Sequence, residues 1–97
     1  MLILRILSLE PAHGYAIARR LQQISRDTLH VNQGSLYPAL HRLEQKGWLE
    51  SEWRPSDTGR EAKCYALTLA GHAQLEVEKS DWDRLTATVR LVFSEGT

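Results

Sequence analysis

The side chains best suited to chemistry lie on one predicted helix, which begins after Asn32 and ends at Gly47. Asn32 is a favoured N-cap residue, and Gly47 readily adopts the left-handed conformation that stops a helix. Between them, apolar residues recur at helical spacing: Leu36, Ala39, Leu40 and Leu43. Apart from Glu44, the opposite face carries hydrogen-bonding groups, flat rings and cations: Gln33, Ser35, Tyr37, His41, Arg42, Gln45 and Lys46. Such groups recognise base edges and phosphates, so this face suits the major groove of DNA.

Two further helices are predicted before this one. The first runs from about Met1 to Leu9 or Glu10, is ended by Pro11, and has an apolar surface formed by Leu2, Ile3, Ile6, Leu7 and Leu9. After the turn P-A-H-G, a second helix is predicted with these residues facing inward: Tyr15, Ile17, Ala18, Leu21 and Ile24. Because only a short polar connector separates it from the Asn32 helix, the pair predicts a helix-turn-helix. Nothing precedes Met1 to cap the first helix, so we expect either fraying there or a natural start further upstream.

Beyond Gly47 the apolar period changes from helical to alternating, which predicts a strand through Leu49, Ser51 and Trp53. A dense turn signal from Arg54 to Arg60 follows, and a second alternating stretch places Tyr65, Leu67 and Leu69 on the core side. Lys63 is predicted to point away from the neighbours of Tyr65. The two strands form a β-hairpin, and three helices followed by a hairpin make a winged helix.

Thr68 is a plausible N-cap for a last helix that runs to about Phe93. Its inward positions alternate in steps of three and four residues and form a coiled-coil-like seam with one acidic member: Leu75, Glu78, Trp82, Leu85, Val89 and Val92. The predicted fold class is therefore mainly α with a small β-hairpin. Residues 1–69 form a winged helix-turn-helix DNA-binding domain, and residues 70–97 form a C-terminal dimerisation helix.

Composition limits the function further. A chain of 97 residues buries a small core and gains from a partner subunit, and its formal net charge is zero. The charge is unevenly spread, at +2 over residues 1–63 and −2 over residues 64–97. The single cysteine, Cys64, excludes an internal disulfide and is consistent with a reducing cytoplasm. The apolar start is too short to span a bilayer, so we expect a soluble cytoplasmic protein without membrane association.

Catalysis and metal binding are not expected. The four histidines are scattered over separate elements, no pair of acids accompanies a nucleophile, and there is no glycine-rich phosphate loop. His41 and Glu44 share a helix face, but two groups do not make a metal site. The sequence therefore predicts a protein that is not an enzyme and needs no cofactor or metal.

Three stretches resemble the PadR family of bacterial transcriptional regulators: H-G-Y-A-I-A-R-R-L, G-S-L-Y-P-A-L-H-R-L-E-Q-K-G-W-L and K-C-Y-A-L-T-L-A-G-H. The resemblance covers about residues 2–93 and is specific to that family among winged helices. It implies a homodimer on an inverted-repeat operator in double-stranded DNA, with the last helix making the dimer. It also implies a repressor that small aromatic or lipophilic compounds release. In this chain Cys64 and the nearby Glu61 replace part of the basic wing of the family, which implies a weaker phosphate contact.

We expect these residues to bind DNA: Asn32, Gln33, Ser35, Tyr37, His41, Arg42, Lys46, Arg60 and Lys63. Gln33, Ser35 and His41 would reach base edges, while Tyr37, Lys46, Arg60 and Lys63 would contact phosphates. Two of these assignments have structural alternatives. Tyr37 could pack on the second helix, and Arg42 could form an ion pair with Glu44 or with a neighbouring helix. Trp48 and Trp53 are expected to pack within the hairpin.

Around Trp82 the seam has two interpretations that stay open. In a two-fold dimer, Trp82 would lie near its own copy, and the slot could either be filled by the interface or accept a planar aromatic effector. The residues of this candidate ligand site are Glu78, Trp82, Leu85 and Val89. The competing function classes are a winged helix that binds only proteins and another dimeric winged-helix regulator, such as a metal or stress sensor. The polar Asn32 helix counts against the former, and the lack of clustered Cys/His ligands counts against metal sensing.

Overall fold

The computed structural model describes residues 1–95, which form four α-helices and a three-stranded antiparallel sheet. The elements in chain order are α1 (Leu2–Leu9), β1 (Ala12–His13), α2 (Gly14–Ile24), α3 (Gln33–Gln45), β2 (Leu49–Pro55), β3 (Glu61–Leu67) and α4 (Leu69–Glu95). The predicted fold class, a mainly α winged helix with a long last helix, is confirmed. Residues 96 and 97, at the end of the predicted dimerisation segment, lie outside the described part.

One apolar core joins the first three helices to the sheet. Its fully buried side chains come from α1, α2 and α3: Leu4, Ile17, Leu36 and Leu40. Leu49 and Tyr65 contribute to this core from the two strands of the hairpin, and Leu75 contributes from the first part of α4. The face of α3 that points away from Leu36 and Leu40 is thereby left to solvent.

Local signals set the ends of α3 where the sequence predicts them. The Asn32 side chain accepts a hydrogen bond from the backbone N–H of Ser35 at 2.8 Å, as an N-cap does. Gly47 has a φ of +81°, a conformation that costs glycine little, and the Trp48 N–H returns to the Leu43 carbonyl at 3.1 Å. Pro38 lies inside the helix without interrupting it.

The strand β1 is an element that the sequence did not predict. The predicted turn P-A-H-G contains Ala12 and His13, which pair with Tyr65 and Cys64 of β3. The His13 ring lies 3.1 Å from the Lys63 carbonyl and 3.3 Å from the Pro55 carbonyl, and so contacts both strands of the hairpin. A two-residue strand is too short to show alternation, so only its partner in space defines it.

Several predicted core positions are wrong. Ile24 ends α2 and is 57% exposed, and the chain turns soon after it, at Arg26 and Asp27, which adopt positive φ. Leu69 is 89% exposed, since Thr68 ends the alternation and caps α4. On α1, Leu2 and Leu9 are exposed, and Leu4 takes the fully buried place instead.

The helix α4 projects from the domain. Its 27 residues span about 40 Å, and only Gly71 and Leu75 near its start are buried. The radius of gyration is 15.9 Å, whereas a compact domain of this length would have about 12.5 Å. None of the helices in residues 1–95 is both long and apolar enough to cross a membrane.

The start of α4 approaches the base of the hairpin very closely at Gly71. A Cβ atom added there would lie 2.1 Å from the Trp48 carbonyl oxygen and 2.6 Å from the Leu67 side chain. Because the Trp48 oxygen belongs to the backbone, it cannot move aside by changing rotamer. Only glycine permits this contact.

We predict that Gly71→Ala destabilises the fold by about 1–3 kcal/mol, through the steric cost of overpacking. Helix propensity alone predicts the opposite sign, a gain of about 1 kcal/mol. Urea unfolding followed by circular dichroism measures the difference, with Ala70→Gly as the neighbouring control for propensity. An unfolding midpoint for Gly71→Ala equal to or above that of the native protein would contradict the close approach.

Candidate nucleic-acid interface

The exposed face of α3 is polar along its whole length. Leu36 and Leu40 anchor the helix in the core, and the following residues are exposed on its other sides: Gln33, Gly34, Ser35, Tyr37, Pro38, His41, Arg42, Gln45 and Lys46. By helical geometry, His41 and Arg42 lie well away from the buried stripe, and Gln45 lies one turn after His41. Gln45 was not among the predicted DNA-binding residues, although its spacing from His41 could have indicated it.

At the start of α3, part of the hydrogen-bonding capacity is already used. The carbonyl oxygen of the Asn32 side chain is committed to the cap, which leaves its amide N–H groups as donors. Gln33 and Ser35 are exposed beside it. These three predicted site residues therefore do lie together, at the end of the helix that enters a groove first in helix-turn-helix proteins.

Tyr37 lies against the start of α2. A Cβ atom added to Gly14 would lie 2.7 Å from the Tyr37 ring and 2.9 Å from its hydroxyl oxygen, so the ring rests directly on the glycine backbone. The side chain nevertheless remains 43% exposed. The Tyr37 ring thus packs on the second helix, and the contact of its hydroxyl with a phosphate stays a prediction.

Most cations near the hairpin have partners. Arg54 forms an ion pair with Glu52 of the same strand, and Arg19 of α2 lies 3.8 Å from Asp57 at the hairpin tip. Lys46 places its ammonium 4.9 Å from the centre of the Trp48 ring, within the range of a cation–π contact. By contrast, Arg42 and Arg60 are exposed and form no ion pair within residues 1–95.

The predicted orientation of Lys63 is wrong. Lys63 stands opposite Trp53 and Tyr65 stands opposite Ser51, so Lys63 and Tyr65 share one face of the hairpin. The Lys63 ammonium lies 3.7 Å from Glu44 of α3. Arg42 does not form the alternative pair with Glu44, because Glu44 is directed at the hairpin.

Trp53 also departs from its expected place. It belongs to the outer part of β2, where the hairpin extends beyond the core, and its side chain is 65% exposed. It therefore does not pack within the hairpin, whereas Trp48 is half-buried against the core. An exposed indole on the same face as Lys63 is a candidate contact that the sequence did not indicate.

Glu44 connects α3 to the hairpin in the neighbourhood of Tyr65. Glu44 Oε2 accepts a hydrogen bond from Ser51 Oγ at 2.5 Å. Burial raises the pKa of the Tyr65 hydroxyl above its ordinary value, and the nearby Glu44 and then Tyr37 raise it further. Tyr65 is therefore neutral at physiological pH, and its environment opposes ionisation.

The predicted seam of α4 is largely uncovered. Leu75 is buried, whereas the four apolar positions beyond it are exposed: Trp82, Leu85, Val89 and Val92. Trp82 lines two adjoining grooves, one of about 340 Å³ shared with α1 and one of about 270 Å³ shared with Met1, Glu78, Asp81 and Leu85. Three of the four candidate ligand residues, Glu78, Trp82 and Leu85, thus border one groove, and Val89 lies one turn further along.

Within the described residues, no group of three or more histidine, cysteine, aspartate or glutamate side chains could hold a metal ion. The exposed polar groups of α3 thus lie beside a hairpin whose outer residues are also exposed.

Comparisons with known proteins agree with this geometry. The model of the transcriptional regulator PadR-like family matches residues 3–77. The transcriptional regulator Rv3488 of Mycobacterium tuberculosis is 43% identical over 68 residues, which are 70% of this chain and 63% of that protein. The chain therefore spans less than two thirds of that relative.

Solved structures give the same result over nearly the whole chain. A PadR family transcription regulator from Clostridium difficile is 32% identical, with a TM-score of 0.80 and coverage of 95% of this chain and 94% of that one. A PadR-like transcription factor from Bacteroides fragilis is 34% identical, with a TM-score of 0.79 and coverage of 94% and 85%. The chain belongs to the PadR-like family of transcriptional regulators, as its sequence motifs indicate. Proteins of this family are transcriptional regulators and not enzymes.

Proposed function

We propose that this PadR-family regulator binds an inverted-repeat operator in double-stranded DNA as a homodimer and represses transcription until an effector releases it. Residues 1–69 would contact the DNA, and residues 70–97 would contact the second copy. The observation that carries the proposal is the exposed polar face of α3 beside a projecting hairpin. Helix-turn-helix proteins place such a helix in the major groove, and the hairpin then reaches the flanking backbone.

The proposed contacts divide by chemistry. Gln33, Ser35 and His41 are exposed along α3, where amide, hydroxyl and imidazole groups can reach base edges. The groups proposed for phosphates are Tyr37, Lys46, Arg60 and Lys63, and Asn32 and Arg42 complete the set. Arg60 can bind phosphate directly, since it has no ion-pair partner in residues 1–95. Lys63 would leave a partly exposed ion pair, which costs little because such pairs contribute about 0–1 kcal/mol.

Since the formal net charge is zero, DNA binding must depend on these local groups and not on a general positive field. We predict that Arg60→Ala weakens binding to all duplexes alike and lowers the slope of log K against log salt by about one unit.

Gln33→Ala should instead change the preference at one base pair, by about 1–3 kcal/mol. Selection from randomised duplexes, followed by fluorescence anisotropy at several salt concentrations, measures both effects.

Arg90→Ala is the matched control, because it removes the same charge from α4, away from the proposed interface. It should leave the salt slope and the sequence preference unchanged. An Arg60→Ala variant that behaves like Arg90→Ala would contradict the proposed orientation on DNA.

The uncovered seam of α4 supports the proposed homodimer. An exposed apolar stripe of this length on a projecting helix is unfavourable in water, and a two-fold axis would let the same residues from two chains cover one another. We predict that the native protein is a dimer by light scattering at micromolar concentration, and that Val89→Glu makes it a monomer, because the seam would then bury an unpaired charge.

Ala87→Glu provides the control for that substitution. Ala87 lies on the opposite side of α4 from Leu85 and Val89, so the same charge there should leave the dimer intact. A native protein that is monomeric, or two variants that dissociate equally, would exclude the seam as the interface.

The grooves beside Trp82 support an effector site at this interface. The indole is 55% exposed, apolar side chains adjoin it, and Glu78 and Asp81 stand at one edge. A planar aromatic cation could stack there, with about 0.5–1.5 kcal/mol of stacking beyond area burial.

We predict that a planar cationic dye quenches tryptophan fluorescence saturably and releases bound DNA from the native protein. Both effects should disappear in Trp82→Ala while light scattering still shows a dimer. Quenching that persists in Trp82→Ala would place the dye elsewhere, and dissociation of that variant into monomers would show that the indole fills the interface.

A further inference from the structure

We propose that Glu44 is a positioning residue, which fixes the hairpin relative to α3 so that both can meet the same DNA duplex. The proposal rests on the proposed DNA binding and assigns to Glu44 no contact with the DNA itself. Glu44 is the one acid on a helix otherwise suited to a polyanion.

The two oxygens of the Glu44 carboxylate contact different strands. Oε2 accepts the hydrogen bond from Ser51 of β2 at 2.5 Å, while Oε1 lies 3.7 Å from the ammonium of Lys63 on β3. Ser51 and Lys63 lie on the same face of the hairpin as Tyr65, which stands directly opposite Ser51. One side chain of α3 therefore holds both strands where the hairpin leaves the core.

The position of this acid needs such an explanation. Glu44 lies in the last turn of α3, where the helix dipole disfavours a negative charge, and its side chain is only 28% exposed. Nearby phosphates would repel it as well. The hydroxyl of Ser51 and the ammonium of Lys63 offset both costs, and in doing so they connect α3 to the hairpin.

Of the two contacts that Glu44 makes with the hairpin, the one to Ser51 is the stronger. A short hydrogen bond to a carboxylate is stronger than a neutral one, whereas an ion pair at 3.7 Å with a side chain 41% exposed contributes little. Lys63 can accordingly move to a phosphate while Ser51 keeps the hairpin in place. Because the Ser51 contact remains, Lys63 could contact a DNA phosphate although it faces Glu44 in the free chain.

The relative position matters because α3 and the hairpin tip are proposed to reach different groups of one rigid duplex. A site made from two elements works only if each is held to within about 0.5 Å of its productive place. If the part of the hairpin beyond Leu49 and Tyr65 is displaced, its phosphate contacts are lost while the helix still enters the groove. The loss would appear in the salt dependence, since each phosphate contact contributes about 0.9 to the slope.

The test compares the native protein with Glu44→Ala, Glu44→Gln and Ser51→Ala on a fluorescein-labelled duplex of mixed sequence. A length of about 30 base pairs accommodates two half-sites one helical turn apart. Glu44→Ala and Ser51→Ala should each weaken binding roughly five- to tenfold near 0.1 M salt and lower the salt slope by about one unit per lost contact. Glu44→Gln should keep most of the affinity and slope, because its amide oxygen still accepts from Ser51.

Glu50→Ala is the matched control. Glu50 is exposed on the other face of β2, so its removal deletes the same charge without touching the contact to α3. It should leave the slope unchanged. The expected sign for Glu44→Ala is opposite to that of simple charge removal, which would strengthen binding to a polyanion.

The outcomes separate the two proposals. If the native protein binds no duplex, the proposed function itself fails. If the native protein binds, and Glu44→Ala and Ser51→Ala bind with the native slope or more tightly, then Glu44 does not position the hairpin. A lower unfolding midpoint with an unchanged slope would likewise overturn the inference, since it would show a role in stability alone.

Discussion

The structure depends on one corner, where the Thr68 hydroxyl lies between α3, the hairpin and α4. The hydroxyl donates to the Gly47 carbonyl at 2.7 Å and accepts from the Gly71 N–H at 3.0 Å, while the Thr68 N–H donates to the Trp48 carbonyl at 3.1 Å. Thr68 thus provides hydrogen-bond partners for two backbone carbonyl groups just after α3, and it also caps α4. Because Gly71 lets the two backbones approach so closely, the direction of α4 is fixed relative to α3 by contacts with almost no free space.

This corner links the two surfaces that the proposed function needs. In a two-fold dimer built on α4, the separation of the two copies of α3 would depend on how rigidly each α4 is joined to its own domain. Half-site spacing in operators mirrors that separation, which must match about one helical turn of DNA or a multiple of it. A ligand beside Trp82 could then act by changing how the two copies of α4 meet, without altering α3 itself.

Much of this fold could be predicted from the sequence because its main signals are local. The N-cap at Asn32, the left-handed stop at Gly47 and the spacing of Leu36 and Leu40 act within a few residues, and the structure confirms them. The strand β1 could not be found in this way, since two residues carry no period and the pairing partners lie some fifty positions away. The prediction that Trp53 packs within the hairpin was wrong because alternation indicates which face a strand residue occupies. It does not indicate how far the core extends along that strand.

In the candidate site, the sequence likewise could not show which charged side chains are available to bind DNA. Each cation near the hairpin could be counted from the sequence, but its availability depends on acids that only the folded chain brings close. Lys63 meets Glu44 across nineteen residues, and Arg19 meets Asp57 across the space between α2 and the hairpin tip. Because its net charge is zero, the protein has no general positive field that attracts phosphate. The ion pairing of individual side chains therefore decides where a phosphate can bind. An acid in this setting would do more than lower the affinity, because by contacting one lysine and one serine on the hairpin it would also influence where Arg60, which has no ion pair within residues 1–95, is presented.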